Sequence, residues 1–325
     1  MMEIPVEAEL CFPRLGNTSC SKTQHPRPVT AYMLLSVISV ITVTLNLLVI
    51  ISISHFKQLH TPTNLLLLSL ASSDFLVGFL MLFQISLLGG CWFFGDLMCV
   101  VYYIVDHSVT SASIGSMVFI SVDRYVAICD PLCYTVKVTK TRVDISVYLC
   151  WATSFVFHCM CLLDTLKQPG RFNTCVGECV IVVAYFVGIT DLFVSFIGPI
   201  TVILVLHMKV FAVAVSQARA LRSCAGGVTL QGSATKKSEL KAARTLGVVV
   251  VVFIACIMPY FCIVISGQDV LLNASSATII ICLFYFNSCL NPLIYAFFYP
   301  WFRKSIKLIV TLQILKPDSC QANII

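Results

Sequence analysis

Seven apolar runs dominate this chain of 325 residues, and each is long enough to cross the hydrocarbon core of a bilayer as a helix. They cover Ala31–Ser54, Asn64–Leu87, Met98–Ile128, Val143–Leu163, Val180–Val210, Ala242–Ser266 and Ala277–Tyr299. Inside lipid a backbone must satisfy its own hydrogen bonds, so runs of this length are read as helices. The expected fold is therefore all-α and membrane-embedded, a bundle of seven transmembrane helices. Composition agrees: 58% of residues are hydrophobic and 11% charged, where a soluble domain carries roughly a quarter charged. A water-soluble enzyme is excluded on that ground, and no nucleophile–base set argues for catalysis. The net charge of +6 does not point to nucleic acid, because the basic residues sit at the ends of the runs.

Those basic residues set the orientation. Lys57, Arg124, Lys137, Lys140, Arg142, Lys209, Arg219, Arg222, Lys236, Lys237, Lys241, Arg244, Arg303, Lys304, Lys307 and Lys316 fall on one side, against Arg14, Lys22, Arg27, Lys167 and Arg171 on the other. The side richer in Lys and Arg is cytoplasmic, so the N-terminus is expected outside and the C-terminus inside, in the plasma membrane. The organisation read from this is an outer N-terminus over 1–30, the bundle over 31–299, an amphipathic helix on the inner leaflet over 300–311, and a tail over 312–325. Gln217–Lys241, rich in Ser, Gly, Ala and Lys, reads as a mobile linker. The first 27 residues lack an apolar core of the kind a signal peptide needs, so no cleaved leader is expected. No internal repeat is visible, which disfavours a transporter or channel built from inverted repeats.

Many of the seventeen cysteines, among them Cys150, Cys159, Cys161, Cys256, Cys262 and Cys282, lie within apolar runs, where they behave as small apolar residues. Cys11, Cys20, Cys91, Cys99, Cys175 and Cys179 all fall on the expected outer side, where disulfides form. No metal site is expected, because Cys175 and Cys179 have no His or Cys pair to complete one. Asn17 and Asn273 head glycosylation sequons on the same face.

Charges within the spans carry the functional argument, since each costs roughly 2.5–3.5 kcal/mol on insertion. Asp123 and Arg124 are adjacent and can pair. Asp106 precedes Arg124 by 18 residues and Asp191 precedes Lys209 by 18. At about 1.5 Å per residue both lie roughly 27 Å above the inner boundary, on different helices. No Lys or Arg stands at that level to neutralise them. Two readings follow: a pocket for two cations from outside, or a carboxyl that is protonated or snorkels to water. Tyr103, Tyr260, Phe261 and Tyr285 fall at a similar level, and aromatic faces attract ammonium groups. The alternative there is an ordinary packed helix interface. Asp74, mid-span, has Ser113, Asn287, Ser288 and Asn291 available from other helices; that set suits a sodium ion or a buried hydrogen-bond network.

Ordered motifs, one per run, give the chain a family resemblance over its full length. They are Asn46; Leu70-Ala71-Ser72-Ser73-Asp74; Cys99 with Asp123-Arg124-Tyr125; Trp151; Pro199; Phe253-x-x-Cys256-x-x-Pro259; and Asn291-Pro292-Leu293-Ile294-Tyr295. In this order they resemble the rhodopsin-like G-protein-coupled receptors. The stretch from Asn287-Ser288 through Asn291-Pro292, Tyr295 and Tyr299 to Trp301-Phe302 is similar to the fingerprint of the trace amine-associated receptors, as are Phe56–Asn64 and Lys241–Gly247.

That resemblance implies an olfactory receptor for volatile amines, coupled to a stimulatory heterotrimeric G protein and cAMP and expressed in olfactory neurons. It makes Asp106 the aspartate that binds a primary ammonium. It matches Asp191 to a second acid found in part of the family, mainly in fish members that look like diamine receptors. The implied ligand is a diamine such as cadaverine or putrescine, with His107, Thr110, Ser195, Tyr260, Phe261 and Tyr285 around it. Its alternative is a monoamine, a trace or biogenic amine, held by Asp106 alone; Ser195 near Asp191 keeps a phenol-bearing ligand open. The resemblance also implies a Cys99–Cys179 disulfide and a second from Cys20 to Cys175. Cys11 competes for that second bond, and Cys20 is preferred because it follows the Asn17 sequon as in relatives.

Arg124 resembles the activation switch, paired at rest with Asp123 and Glu239, with Tyr125, Asn291, Pro292 and Tyr295 as further switch residues. The chain departs from the family pattern at Ile257, where a tryptophan is usual, at His207, where a tyrosine is usual, and at Leu45 and Phe83. Cys320 is a candidate palmitoylation position well beyond the short inner helix.

Overall fold

The computed structural model describes residues 9–21, 29–223, 247, 250–262 and 274–324. Glu239, Asn273 and the linker beyond Ser223 lie outside the described residues. The helices are α1 (Val29–His55), α2 (Pro62–Leu88), α3 (Asp96–Cys129) and α4 (Lys140–Cys161). The fifth span, α5, runs as Tyr185–Asp191, a π-helical turn Leu192–Ile197, and Gly198–Ser223. Then come α6 (Val250–Cys262), α7 (Ala274–Phe298) and α8 (Pro300–Val310). The fold is a bundle of seven transmembrane helices with a short amphipathic helix after the seventh.

Local chemistry starts several of these helices. Thr61 caps α2 by accepting from the Asn64 backbone N–H, with Pro62 in the first turn, where a missing N–H costs nothing. Thr139 caps α4 by accepting from the Arg142 N–H. Proline also explains the break in α5. Pro199 lacks the N–H that would bond back into the preceding turn, and the π-helical turn sits directly before it. In α7, Pro292 leaves the Ser288 carbonyl without its helical donor. The Asn46 side chain of α1 supplies one instead, donating from Nδ2 to Ser288 O at 3.0 Å.

The bundle is polar inside and apolar outside. Asn46, Asp74, Ser113, Ser116, Asp123, Asn287 and Asn291 are buried, while Leu34, Val40, Tyr148, Val156, Phe186 and Phe211 are exposed around the perimeter. Water would reverse that pattern; lipid favours it. Helices touch where side chains are small. A side chain on Gly78 would meet Val43 Cγ2 at 2.9 Å, so α1 and α2 approach closely there, and Ser39 Oγ donates to Gly78 O at 2.7 Å. Trp151 Nε1 donates to Ser69 Oγ at 3.1 Å, and Ser69 meets Ser116 at 2.9 Å, tying α4 to α2 and α3.

Two boundaries differ from the sequence reading. The run expected to start the fifth span at Val180 is extended as far as Ala184, and the helix begins at Tyr185. Cys179 is bonded to Cys99 and Asn173 Oδ1 accepts from the Val180 N–H, so the apolar residues after it lie over the bundle rather than in a span. At the other end the tail does not trail away. Ile324 is buried, its N–H donates to Gln58 Oε1 at 3.2 Å, and Ser319 meets His55 at 3.0 Å.

Candidate ligand-binding site

A cavity of about 330 Å³ opens toward the N-terminal end of the bundle. Asp106, His107 and Thr110 line it from α3, Asp191 and Ser195 from α5, Tyr260 and Phe261 from α6, and Tyr285 from α7. All eight ligand candidates named from the sequence therefore share one wall system. The cavity also takes in Gln84, Tyr103, Ser111, His158, Val183, Ile281 and Phe284, among others. Of these, only Tyr103 was singled out in the sequence. The rest carry no signal by type, because only helix rotation decides that they face inward.

The two acids differ in their surroundings. Asp106 Oδ1 is buried and has no hydrogen-bond partner among the described residues. Asp191 is engaged: Ser195 Oγ donates to its Oδ1 at 2.7 Å, and His158 Nε2 lies 3.3 Å from the same oxygen. This corrects the sequence expectation that neither acid has an internal partner. No Lys or Arg stands at this level among the described residues; the partner is a histidine on α4, a helix without a ligand candidate in the sequence reading. The π-helical turn begins directly after Asp191 and contains Ser195, so the two side chains meet where the helix is locally rewound. His107 and His158 stand side by side, with ring centroids 5.7 Å apart.

Aromatic rings close the opposite wall. Tyr260 lies 4.8 Å from Phe284, centroid to centroid, and Phe284 lies 5.4 Å from Tyr285. Phe261 stacks on Phe196 at 3.6 Å, so one of its faces is committed to α5. Tyr102 donates to Gln84 Oε1 at 2.9 Å and fixes the α2–α3 corner beside the cavity.

Three disulfides hold the lid region. Cys99 joins Cys179, Cys20 joins Cys175, and Cys11 joins Cys91. The sequence reading had Cys11 only as a rival for Cys175 and left Cys91 unassigned. In the fold, residues 9–21 lie against the loop after α4: Cys20 N–H donates to Val176 O, and Val176 N–H to Thr18 O. That pairing places Cys11 beside Cys91. Asn17 is exposed on this segment. Cys20, Cys175 and Glu178 form a cluster of metal-ligand types, but its two sulfurs are bonded to each other.

Deeper in the bundle, Asn291 Nδ2 donates to Asp74 Oδ2 at 2.8 Å and Ser113 Oγ to Oδ1 at 3.2 Å. A small chamber of about 20 Å³ adjoins them, lined by Ser113, Asn287, Ser288 and, on its apolar side, Phe253 and Ile257. Of the switch residues, Pro292 and Tyr295 both lie inside α7.

At the end opposite the cavity, Arg124 pairs with Asp123. Asp123 also accepts from Thr63 Oγ1 at 3.1 Å and from the Tyr134 hydroxyl at 2.9 Å, and Arg124 donates to Thr63 Oγ1 at 2.7 Å. Burial pushes the Tyr134 hydroxyl above its ordinary value, which keeps it a donor. Nearby, the Lys137 ammonium bonds Asp130 at 2.6 Å and holds that carboxyl below the usual carboxylate range. Lys209 lies over the Tyr125 ring at 5.8 Å. His207 Nδ1 donates to Ile203 O at 2.9 Å, and its buried Nε2 has no partner among the described residues.

Fold and geometry together define a heptahelical membrane receptor. The sequence model for the 7 transmembrane receptor (rhodopsin family) matches residues 45–295. Among curated proteins, trace amine-associated receptor 4 of Mus musculus is 36% identical, over 98% of this chain and 96% of that protein. Trace amine-associated receptor 8a of Rattus norvegicus is 39% identical (96% and 95%), and trace amine-associated receptor 13c of Danio rerio is 35% identical (98% and 96%). The chain belongs to the rhodopsin family of seven-transmembrane receptors and, within it, to the trace amine-associated receptors. These are receptors, not enzymes.

Proposed function

We propose that this protein is an olfactory receptor for small volatile amines, and that its preferred ligands are short diamines such as cadaverine or putrescine. The observation that carries this is the buried Asp106 oxygen left without a partner in a cavity that also contains Asp191. A buried, unpaired carboxylate is costly, and a ligand ammonium relieves that cost with a charge-assisted hydrogen bond. The second ammonium goes to Asp191, and the methylenes cross Phe261, Phe284 and Tyr285. A cavity near the lower end of the usual 300–1,000 Å³ range suits so small a ligand.

One observation favours a second reading. Asp191 already accepts from His158 and Ser195, so a monoamine on Asp106 alone leaves no acid bare.

Signalling follows a two-state scheme. The Asp123–Arg124–Thr63–Tyr134 network is the resting arrangement, and an amine that binds the open state better shifts the balance toward Arg124 meeting a stimulatory G protein, raising cAMP. The residues around Asp74 fit a sodium ion, which would be held by Asp74, Ser113 and Ser288 and would favour the resting state. The receptor sits in the plasma membrane of olfactory neurons with its N-terminus outside, lipid around its apolar perimeter and a glycan on Asn17.

The test is cAMP in cells expressing the receptor with an olfactory G protein, scanning monoamines against diamines of increasing chain length. A diamine response lost in both Asp106→Ala and Asp191→Ala supports the two-acid site. A monoamine response that survives Asp191→Ala leaves the one-acid reading. Silence to every amine despite surface expression refutes amine sensing.

A further inference from the structure

The two histidines of the cavity have constrained tautomers. His158 Nδ1 lies 2.8 Å from Ser154 O and His107 Nδ1 lies 2.8 Å from Tyr103 O. A carbonyl oxygen only accepts, so Nδ1 carries a hydrogen in each ring. Nε2 of His158 is therefore either a bare lone pair or the second N–H of an imidazolium. It faces Asp191 Oδ1 at 3.3 Å, and an ionised carboxylate also only accepts. A neutral ring beside a carboxylate would set lone pair against lone pair. The contact is attractive only when one proton sits between the two groups.

We propose that His158 determines whether the cavity takes one ammonium or two. With its proton, His158 occupies Asp191, and the cavity offers Asp106 as its one available acid. Without it, Asp191 is released to a second ammonium. This rests on the amine-receptor reading above. Counting charge, two carboxylates and one imidazolium leave the cavity at −1 and matched to a monocation; two carboxylates and a neutral ring leave −2 and match a dication. Binding the second ammonium therefore expels one proton, from His158 Nε2 to water at the cavity mouth. A side chamber of about 190 Å³ adjoins the ring; it shares His107, His158 and Asp191 with the main cavity and extends past Cys161, Leu162 and Val187, which leaves the imidazole space beside the carboxylate.

Other titratable groups around this ring are Cys161 on its own helix, Asp106, His107 and Tyr103 on α3, and Tyr260 and Tyr285 across the cavity. Thiol and phenol reference values stand at about 8.5 and 10, so between about pH 5.5 and 8 the carboxylates and imidazoles decide the charge. Alkylamines resemble lysine, near 10.4, and stay charged across this window.

The experiment measures half-maximal concentrations for cadaverine and for pentylamine on the intact receptor in cells, from about pH 5.5 to about pH 8 outside. Their ratio within one receptor cancels differences in expression. In the wild type the preference for cadaverine should rise with pH, by up to about tenfold per unit while His158 holds its proton. In His158→Gln, whose amide can donate to Asp191 but does not titrate, the ratio should be flat; in His107→Gln the rise should persist. A cadaverine preference with a pH-independent ratio in the wild type overturns the proton link and leaves the diamine reading standing. A rise that persists in His158→Gln and vanishes in His107→Gln moves the role to the other ring and overturns the assignment. A receptor that answers no amine, or monoamines alone at every pH, removes the reading beneath the proposal.

Discussion

Replacing Asp106 with Asn keeps the shape of the side chain and removes its charge. In the structure one oxygen of this carboxylate is buried with no donor among the described residues. A hydrogen bond to a charged group is worth about 1.5–3 kcal/mol. Losing one to a ligand ammonium should weaken every amine agonist by roughly 10- to 150-fold. Asp191→Asn should behave differently. There the amine displaces an existing partner, His158, and exchanges one charge-assisted contact for another. The contact it replaces is long, 3.3 Å, against an optimum near 2.7–2.9 Å, so the net gain from the exchange is only about 1 kcal/mol, or roughly fivefold in potency. That loss should fall on diamines and spare monoamines. Asp106→Asn carries a second signature: relieved of an unpaired buried charge, the ligand-free protein in detergent should melt higher than wild type. Dose–response curves for matched mono- and diamines, with thermal melts of purified ligand-free receptor, supply both readouts. Equal losses for both ligand classes in Asp191→Asn, or a lower melting temperature for Asp106→Asn, would refute the argument that the two acids differ by their existing partners.

Three further outcomes are expected. Asn46→Leu removes the donor that serves the Ser288 carbonyl opposite Pro292; membrane hydrogen bonds average about 0.6 kcal/mol and an orphaned buried group about 1–3, so a melting point several degrees lower should follow, and an unchanged one counts against the α1–α7 link. Cys11→Ser and Cys91→Ser should each lower surface expression, and the double variant should be no worse than either single one, because they break the same bond; additive losses would show that the two cysteines act separately. Tyr134→Phe and Thr63→Val each remove one donor to Asp123 and should raise ligand-independent signalling as Arg124 is held less firmly; basal cAMP at matched surface expression measures this, and a fall in either variant would contradict the resting-lock reading.

Much of the molecule was legible in the chain because lipid imposes simple rules. Apolar length marks helices, and Lys and Arg mark span ends. A carboxylate in a span demands a reason, so Asp74, Asp106, Asp123 and Asp191 stood out. Counting residues back from Arg124 and Lys209 put Asp106 and Asp191 at one depth, and the structure places both in one cavity. What was missed has a common cause. Histidine in an apolar run is neither clearly charged nor clearly apolar, so His158 gave no signal. Cys91 could pair with any cysteine on its face until residues 9–21 were laid against 174–177. The apolar run from Val180 looked like a span because hydropathy does not register that a disulfide at Cys179 holds its first residues over the bundle.

Sequence alone determined what each helix contains and how deep each group lies, since period, length and charge act along one dimension. Only tertiary structure decided which neighbours those groups meet. Partner choice depends on helix rotation and on which helix stands opposite: Ser195, one turn from Asp191, is a neighbour on any helix, whereas His158 is one only in this packing. A charge withdrawn from water needs partners to replace it; besides Ser195, four residues on, Asp191 meets His158, 33 residues earlier in the chain on another helix, and that second meeting is set by tertiary packing alone.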